Sequence, residues 1–158
     1  MANRQSPRRI ITSLIDSQLF CVLSTQQDGQ PYASLVGFVA RAELREIVFA
    51  TGRSTTKFKS IEKDNRVALL IDNRSNQSSD LQQAAAATVI GRAVELHGPE
   101  RKEAAELYGA RHPSLRKFIG DVDTALLKTV VSSYILVSRF QEVVVWDPRL
   151  DFAPASLQ

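Results

Sequence analysis

The chain has 158 residues, the size of one ordinary domain, and 44% of them are hydrophobic, enough to bury a core. Seven Gly, six Pro and 23% charged residues sit near average usage, which argues against a disordered, collagen-like or disulfide-scaffold chain. One cysteine and two histidines exclude a disulfide framework and a zinc site of four Cys, or of two Cys and two His, and a net charge of +3 with scattered Arg and Lys does not point to nucleic acid. Chemistry in such a chain is expected to be carried by something it binds.

The N-terminus is basic, but residues 10–23 are interrupted by Thr12, Ser13, Asp16, Ser17 and Gln18, so they form no apolar secretion core. No apolar run approaches the roughly 18 residues of a membrane span. The expectation is a soluble, cytoplasmic protein with no membrane or nucleic-acid partner, consistent with an unpaired thiol.

Ser6-Pro7 followed by Ile10, Ile11, Leu14 and Ile15 predicts a capped amphipathic helix. Residues 19–23 and 32–40 flank Asp28-Gly29 and predict a β-hairpin. Residues 47–51 form a third strand, a short helix carries Phe58 and Ile61, and residues 66–72 return to strand pattern. Residues 73–83 are polar and read as a solvated, mobile loop. A long strand over 86–96 has Gly91 as a candidate bulge. Gly98-Pro99 then opens a helix with Ala104, Ala105, Leu107 and Tyr108 on its apolar side, ended by Pro113. A short helix at about 114–119 and strands over 130–137 and 142–146 complete the pattern. The fold class is α+β, mainly β, with an antiparallel sheet closing into a small barrel. One domain over residues 5–147 and a tail over 148–158 are expected.

The most informative segment is Phe49-Ala50-Thr51-Gly52-Arg53-Ser54-Thr55-Thr56-Lys57-Phe58. A strand ends in hydroxyls and cations, and a helix begins among them. A helix N-terminus offers unpaired N–H groups and partial positive charge, to which Ser, Thr, Arg53 and Lys57 add donors, so the segment suits a phosphate. Taken alone it is better explained as a plain helix cap, because cap signals are common and the P-loop spacing G-x-x-x-x-G-K-[ST] is absent.

Gln30-Pro31-Tyr32-Ala33-Ser34-Leu35-Val36, Ile47 to Thr51, Ser54-Thr55-Thr56-Lys57, Asn65 to Ile71 and Val89 to Leu96 follow one another as they do in the FMN-binding split-barrel family, also called pyridoxamine 5'-phosphate oxidase-like. The chain resembles that family over roughly residues 10–147. The resemblance implies a six-stranded Greek-key split barrel, paired as a homodimer with FMN at the subunit interface. It places Thr51, Ser54, Thr55, Thr56 and Lys57 at the FMN phosphate, with Arg53 close by, and Ser34, Leu35 and Val36 beside the isoalloxazine ring. The activity implied is an FMN-dependent oxidoreductase that moves a hydride to or from a small electron donor or acceptor.

Departures narrow that reading. Family members that oxidise pyridoxamine phosphate commonly carry arginine where Ser34 stands, glutamine at about Ala86 and a C-terminal arginine/histidine pattern that this sequence does not show. Pyridoxamine 5'-phosphate oxidase activity itself is not expected. The stretch from Leu107 to Ser114, with Phe118 and Asp121, also resembles a haem-utilisation branch of the fold, which gives haem or flavin binding without turnover as the alternative. That branch takes its histidine from a C-terminal extension, so His112 and His97 read as helix-end and turn residues. Trp146 and Tyr108 are expected to pack, and Cys21 to be an inert buried thiol. No catalytic acid/base dyad and no metal site are read from the sequence.

Overall fold

The computed structural model of the chain describes residues 6–150. Helix α1 (Pro7–Ser17) starts at the predicted cap: Ser6 Oγ accepts from the Arg9 N–H at 3.4 Å, and Ile11, Leu14 and Ile15 are buried. Strands β1 (Phe20–Gln27) and β2 (Gln30–Arg41) form the predicted hairpin. Its turn places Asp28 and Gly29 at φ 53° and 80°, the left-handed pair that a two-residue hairpin needs.

Strand β3 (Glu46–Gly52) pairs with β2 only from Phe38↔Phe49 to Arg41↔Glu46. After α2 (Thr56–Lys63) come β4 (Arg66–Asp72), α3 (Asp80–Gln83), β5 (Ala86–Glu95), α4 (Gly98–Arg111), α5 (Arg116–Gly120), β6 (Thr124–Ser138) and β7 (Glu142–Trp146). The sheet order is β3-β2-β1-β4-β5-β6-β7, and an additional β3–β6 pairing closes six of these strands into an antiparallel barrel. Strand β7 extends the sheet beyond the barrel, pairing with residues 134–138 of β6.

Inward residues such as Leu23, Phe38, Ile47, Phe49, Leu69, Val89 and Leu127 fill the barrel, and α1 and α2 add Ile11, Leu14, Phe58 and Ile61 to the same core. A second cluster lies outside it, where α4 and α5 cover Val39, Val48, Ala50 and Leu126 with Ala104, Tyr108 and Ile119.

Several expectations need correcting. Strand β6 begins at Thr124, not Val130, because its first half faces an ion pair on one side and the core on the other. Lys128 Nζ bonds Glu46 at 2.9 Å and Glu100 at 2.7 Å, while Thr129 is fully buried, and that pair interrupts the apolar pattern. Strand β5 ends at Glu95, one residue short of the expected Leu96. Leu107 is 41% exposed and lies off the buried stripe of α4 formed by Ala104 and Tyr108. The helix expected at 114–119 is a 3-10 turn, Pro113–Leu115, running into α5. The loop over 73–83 contains α3, held by Asp80, which accepts from the Ser75 and Gln77 N–H groups at 2.9 and 3.0 Å. Polar composition hides such a carboxylate-centred turn. At the start of the expected tail Pro148 is buried and Arg149 bonds Asp147; residue 5 and residues 151–158 lie outside the described part.

Gly91 does mark an irregularity, though the extra residue is in β6: Ile90 pairs with Ser133 and Gly91 with Val131, leaving Ser132 over. A Cβ on Gly91 would stand 2.3 Å from the Val130 carbonyl oxygen. Gly91→Ala is therefore expected to cost about 1–3 kcal/mol, read as a lower urea midpoint. Burial raises the Cys21 thiol to about 12. A thiol reagent at pH 8 is expected to leave Cys21 unmodified in the native protein and to modify it fully in denaturant; native-state labelling would contradict this burial.

Candidate cofactor site

The barrel parts at one seam. Pairing between β2 and β3 stops at Phe38↔Phe49, and two residues further along each strand stand Val36 and Thr51. Both are inward and buried, at 6% and 2% exposure, on opposite sides of the parting. Beyond it β2 still pairs with β1 down to Gln27↔Gln30, so only its other edge is open. The Phe38 N–H donates to Leu19 O on the β1 side, at 3.3 Å. Alternation along a strand then directs the peptide groups of Gly37, Leu35 and Ala33 to the open edge.

Ser34 shares the inward row with Val36, and its Oγ is buried without a hydrogen-bond partner. Thr25 Oγ1, two residue pairs along the hairpin, is likewise buried and unpartnered. Two orphaned hydroxyls near the seam are an unusual cost for an apolar interior. Leu35 faces outward and is 69% exposed.

The hydroxyls at the end of β3 come together in one turn. Thr55 is the N-cap of α2, accepting from the Phe58 N–H at 3.3 Å, and its Oγ1 donates to Gly52 O at 2.8 Å. Thr51 Oγ1 lies 2.9 Å from Thr55 Oγ1. These two hydroxyls thus shape the turn, while Ser54 and Thr56 are exposed, and Lys57 is half-buried. The N–H groups of Thr56 and Lys57 precede the first intrahelical acceptor and open outward as the positive end of α2. The cap reading and the anion reading are compatible: Thr55 caps, and the next two residues offer the donors.

Arg53 stands apart from this cluster. Its guanidinium pairs with Glu95, which holds its pKa above the ordinary arginine value, and lies over the Phe58 ring, 5.6 Å from its centroid. Of the sequence-predicted residues, Thr51 and Ser54 to Lys57 share one turn, and Ser34 to Val36 line the facing strand.

Sequence reasoning missed the clamp behind that strand. Tyr108 OH donates to Gly37 O at 3.2 Å, and His112 Nε2 lies 2.8 Å from Phe38 O. The two rings meet tilted at 40°, their centroids 4.7 Å apart, over Gly37, where a Cβ would come within 2.9 Å of the Tyr108 hydroxyl. Burial raises the Tyr108 phenol to about 12, so it stays a donor. The preceding Arg111 donates to Ile15 O and Gln18 O at 2.6 and 2.7 Å, closing the end of α1. The i,i+4 spacing of Tyr108 and His112 was visible, but their partners are backbone carbonyls that no side-chain pattern reveals. His97 is exposed at the start of α4. Among the described residues, no three His, Cys, Asp or Glu side chains stand together as metal ligands, and no helix is long and apolar enough to cross a membrane.

The family described as pyridoxamine 5'-phosphate oxidase matches residues 10–137. No curated protein matches the chain. Among solved structures, a haem-binding protein from Mycobacterium smegmatis superposes with TM-score 0.82 at 19% identity, over 92% of this chain and 60% of that one. This chain thus spans about 60% of that protein's length. General Stress Protein 26 from Bacillus anthracis gives TM-score 0.68 at 19% identity, covering 89% and 97% of the two chains. An FAD-binding protein from Mesorhizobium loti gives 0.63 at 15% identity, covering 83% and 92%. At such identities the likeness is one of fold. The family match spans most of the chain and ends within β6, so that it takes in all six strands of the closed barrel: the chain belongs to the pyridoxamine 5'-phosphate oxidase family.

Proposed function

We propose that this protein is an FMN-binding homodimeric oxidoreductase acting on a small electron donor or acceptor other than pyridoxamine phosphate. The observation that carries the reading is the seam itself: the open peptide edge of β2 at Ala33 and Leu35 and the N-terminus of α2 border one parting of the barrel. An edge of alternating donors and acceptors matches the polar rim of a flavin ring, and the helix start matches its phosphate. FMN, when bound, supplies the hydride transfer. Lys57, Ser54, Thr56 and the first N–H groups of α2 hold the phosphate; Thr51 and Thr55 keep that turn in shape. Ser34, with its unpartnered Oγ, offers a neutral hydroxyl where pyridoxamine phosphate-oxidising relatives carry a cation, so the phosphate has one charged contact fewer here.

The dimer has its own support. Across the outer face, cross-strand pairs run Leu35–Val22–Leu70–Thr88–Ile135–Val145, joining six strands in one uncharged row. Leu35 and Val145 at its ends are 69% and 68% exposed. A beside row, Ala33–Ser24–Ala68–Ile90–Ser133, is also uncharged. A contiguous apolar face of this kind marks a protein contact, and it begins at the strand assigned to the flavin ring.

The haem alternative rests on the likeness to the Mycobacterium smegmatis protein. Against it, His112 is buried with Nε2 on the Phe38 carbonyl, and His97 is an exposed helix-start residue.

Purified protein is expected to be yellow and to release FMN on denaturation; a Soret band instead would favour the haem reading. Lys57→Ala is expected to weaken FMN binding by about 1.5–3 kcal/mol, the worth of a charge-assisted hydrogen bond, and Arg53→Ala, whose guanidinium is held by Glu95, to change it little. Unchanged FMN affinity in Lys57→Ala would sink the site assignment. Light scattering should report a dimer, and Thr88→Glu, at the centre of the uncharged row, should yield monomers with impaired FMN retention. A wild-type monomer that still holds FMN tightly would refute the shared site.

A further inference from the structure

The uncharged outer face ends in a row of opposite character. Arg66 of β4 and Arg92 of β5 are direct cross-strand partners, and like charges so placed repel. Arg149, just beyond β7, reaches the same place, its Nη2 donating to Ser132 O at 3.3 Å. The three guanidinium groups border a cleft of about 360 Å³ whose floor includes Ile90, Gly91 and Val130 at the β6 bulge.

Two of the three arginines are neutralised by one device. Asp64 accepts from the Arg66 N–H and Nε, both at 3.0 Å, and Asp147 accepts from the Arg149 N–H and Nε at 2.9 and 2.8 Å. Arg92 differs. Its Nη1 donates to the neutral Asn65 Oδ1 at 3.0 Å, and among the described residues no carboxylate pairs with it. The cleft therefore keeps one uncompensated positive charge, and Arg66 and Arg149 are already fixed by their own carboxylates. Guanidinium groups immobilised in advance lose little further freedom on gripping an oxyanion, and their forked donors match its oxygens.

We propose that this cleft is an oxyanion site for a small phosphate monoester, separate from the site at the start of α2. The two lie beyond opposite ends of that eight-residue helix, about 12 Å of axis. The three oxygens of a phosphate monoester can accept from Arg92 and from the remaining N–H donors of Arg66 and Arg149 at once, while the apolar floor takes a short organic group. A carboxylate has only two oxygens and engages fewer of the three arginines.

The test is calorimetric titration of phenyl phosphate into the full-length protein as purified, at fixed ionic strength. One saturable site per chain is expected, with affinity at least tenfold lower in Arg92→Gln and in Arg149→Gln and unchanged in Lys57→Gln. Benzoate should bind at least tenfold more weakly than phenyl phosphate. In parallel, phenyl phosphate should raise the melting temperature of the wild type and not that of Arg92→Gln, which separates lost binding from lost folding. Wild-type affinity in Arg92→Gln, or a loss confined to Lys57→Gln, would place the anion elsewhere and overturn the proposal. So would the absence of saturable binding up to millimolar ligand, or an Arg92→Gln variant that dissociates the dimer with its affinity intact, since the arginines would then serve a subunit contact.

Discussion

The pairing of β3 with β6, continuous from Glu46↔Val130 to Gly52↔Thr124, governs the rest of the molecule. Strand β3 gives its whole length to β6 and only Glu46 to Phe49 to β2, so the barrel closes while the second edge of β2 stays open beyond Phe38. A sheet edge inside a domain is normally a liability, since its peptide groups invite any other strand. Here the edge is short and bounded. At one end Tyr108 takes the carbonyl of Gly37, and at the other the tight Asp28-Gly29 turn folds the strand back on β1. What remains is a length of backbone fit for a flat, polar-rimmed ligand.

The same closure divides the outer surface into two unlike halves. Over β3 and the first half of β6, α4 and α5 cover the apolar residues, and Arg41, Glu46, Glu100 and Lys128 form a ring of ion pairs at the edge of that cover. Among the described residues, the outer rows across β1, β4, β5 and the rest of β6 are kept free of charge, with charged side chains at the margins. Helices solve burial for one half, and a second protein surface suits the other.

Much of this was legible in the sequence because it rests on local chemistry. Ser6-Pro7, Asp28-Gly29 and the capping Thr55 act within a few residues of themselves, so their turns could be read directly. The hydroxyl and lysine cluster at the start of α2 was legible for the same reason. Leu35 and Val36 could be named, but not that one faces out and the other in relative to a seam, since the seam depends on where pairing with β3 ends. Arg53 looked like part of the cluster by proximity in sequence; Glu95, on another strand, redirects it. The onset of β6 escaped because Lys128 and Thr129 are polar for reasons that lie on neighbouring elements. Clamps made to backbone carbonyls, as by Arg111 and His112, leave no complementary side chain to detect.

Gly37 joins the two cores by what it lacks. With no side chain there, the rings of Tyr108 and His112 rest on the barrel wall and bond its carbonyls, so α4 is anchored to the same strand that packs the interior through Val36 and Phe38. Neither core can loosen alone without breaking those bonds, and the outer helical layer and the barrel are thereby tied into one cooperative unit of unfolding. Detaching α4 must break the Tyr108 and His112 bonds to β2, so amide exchange around that end of a surface helix reports on its grip on the barrel wall.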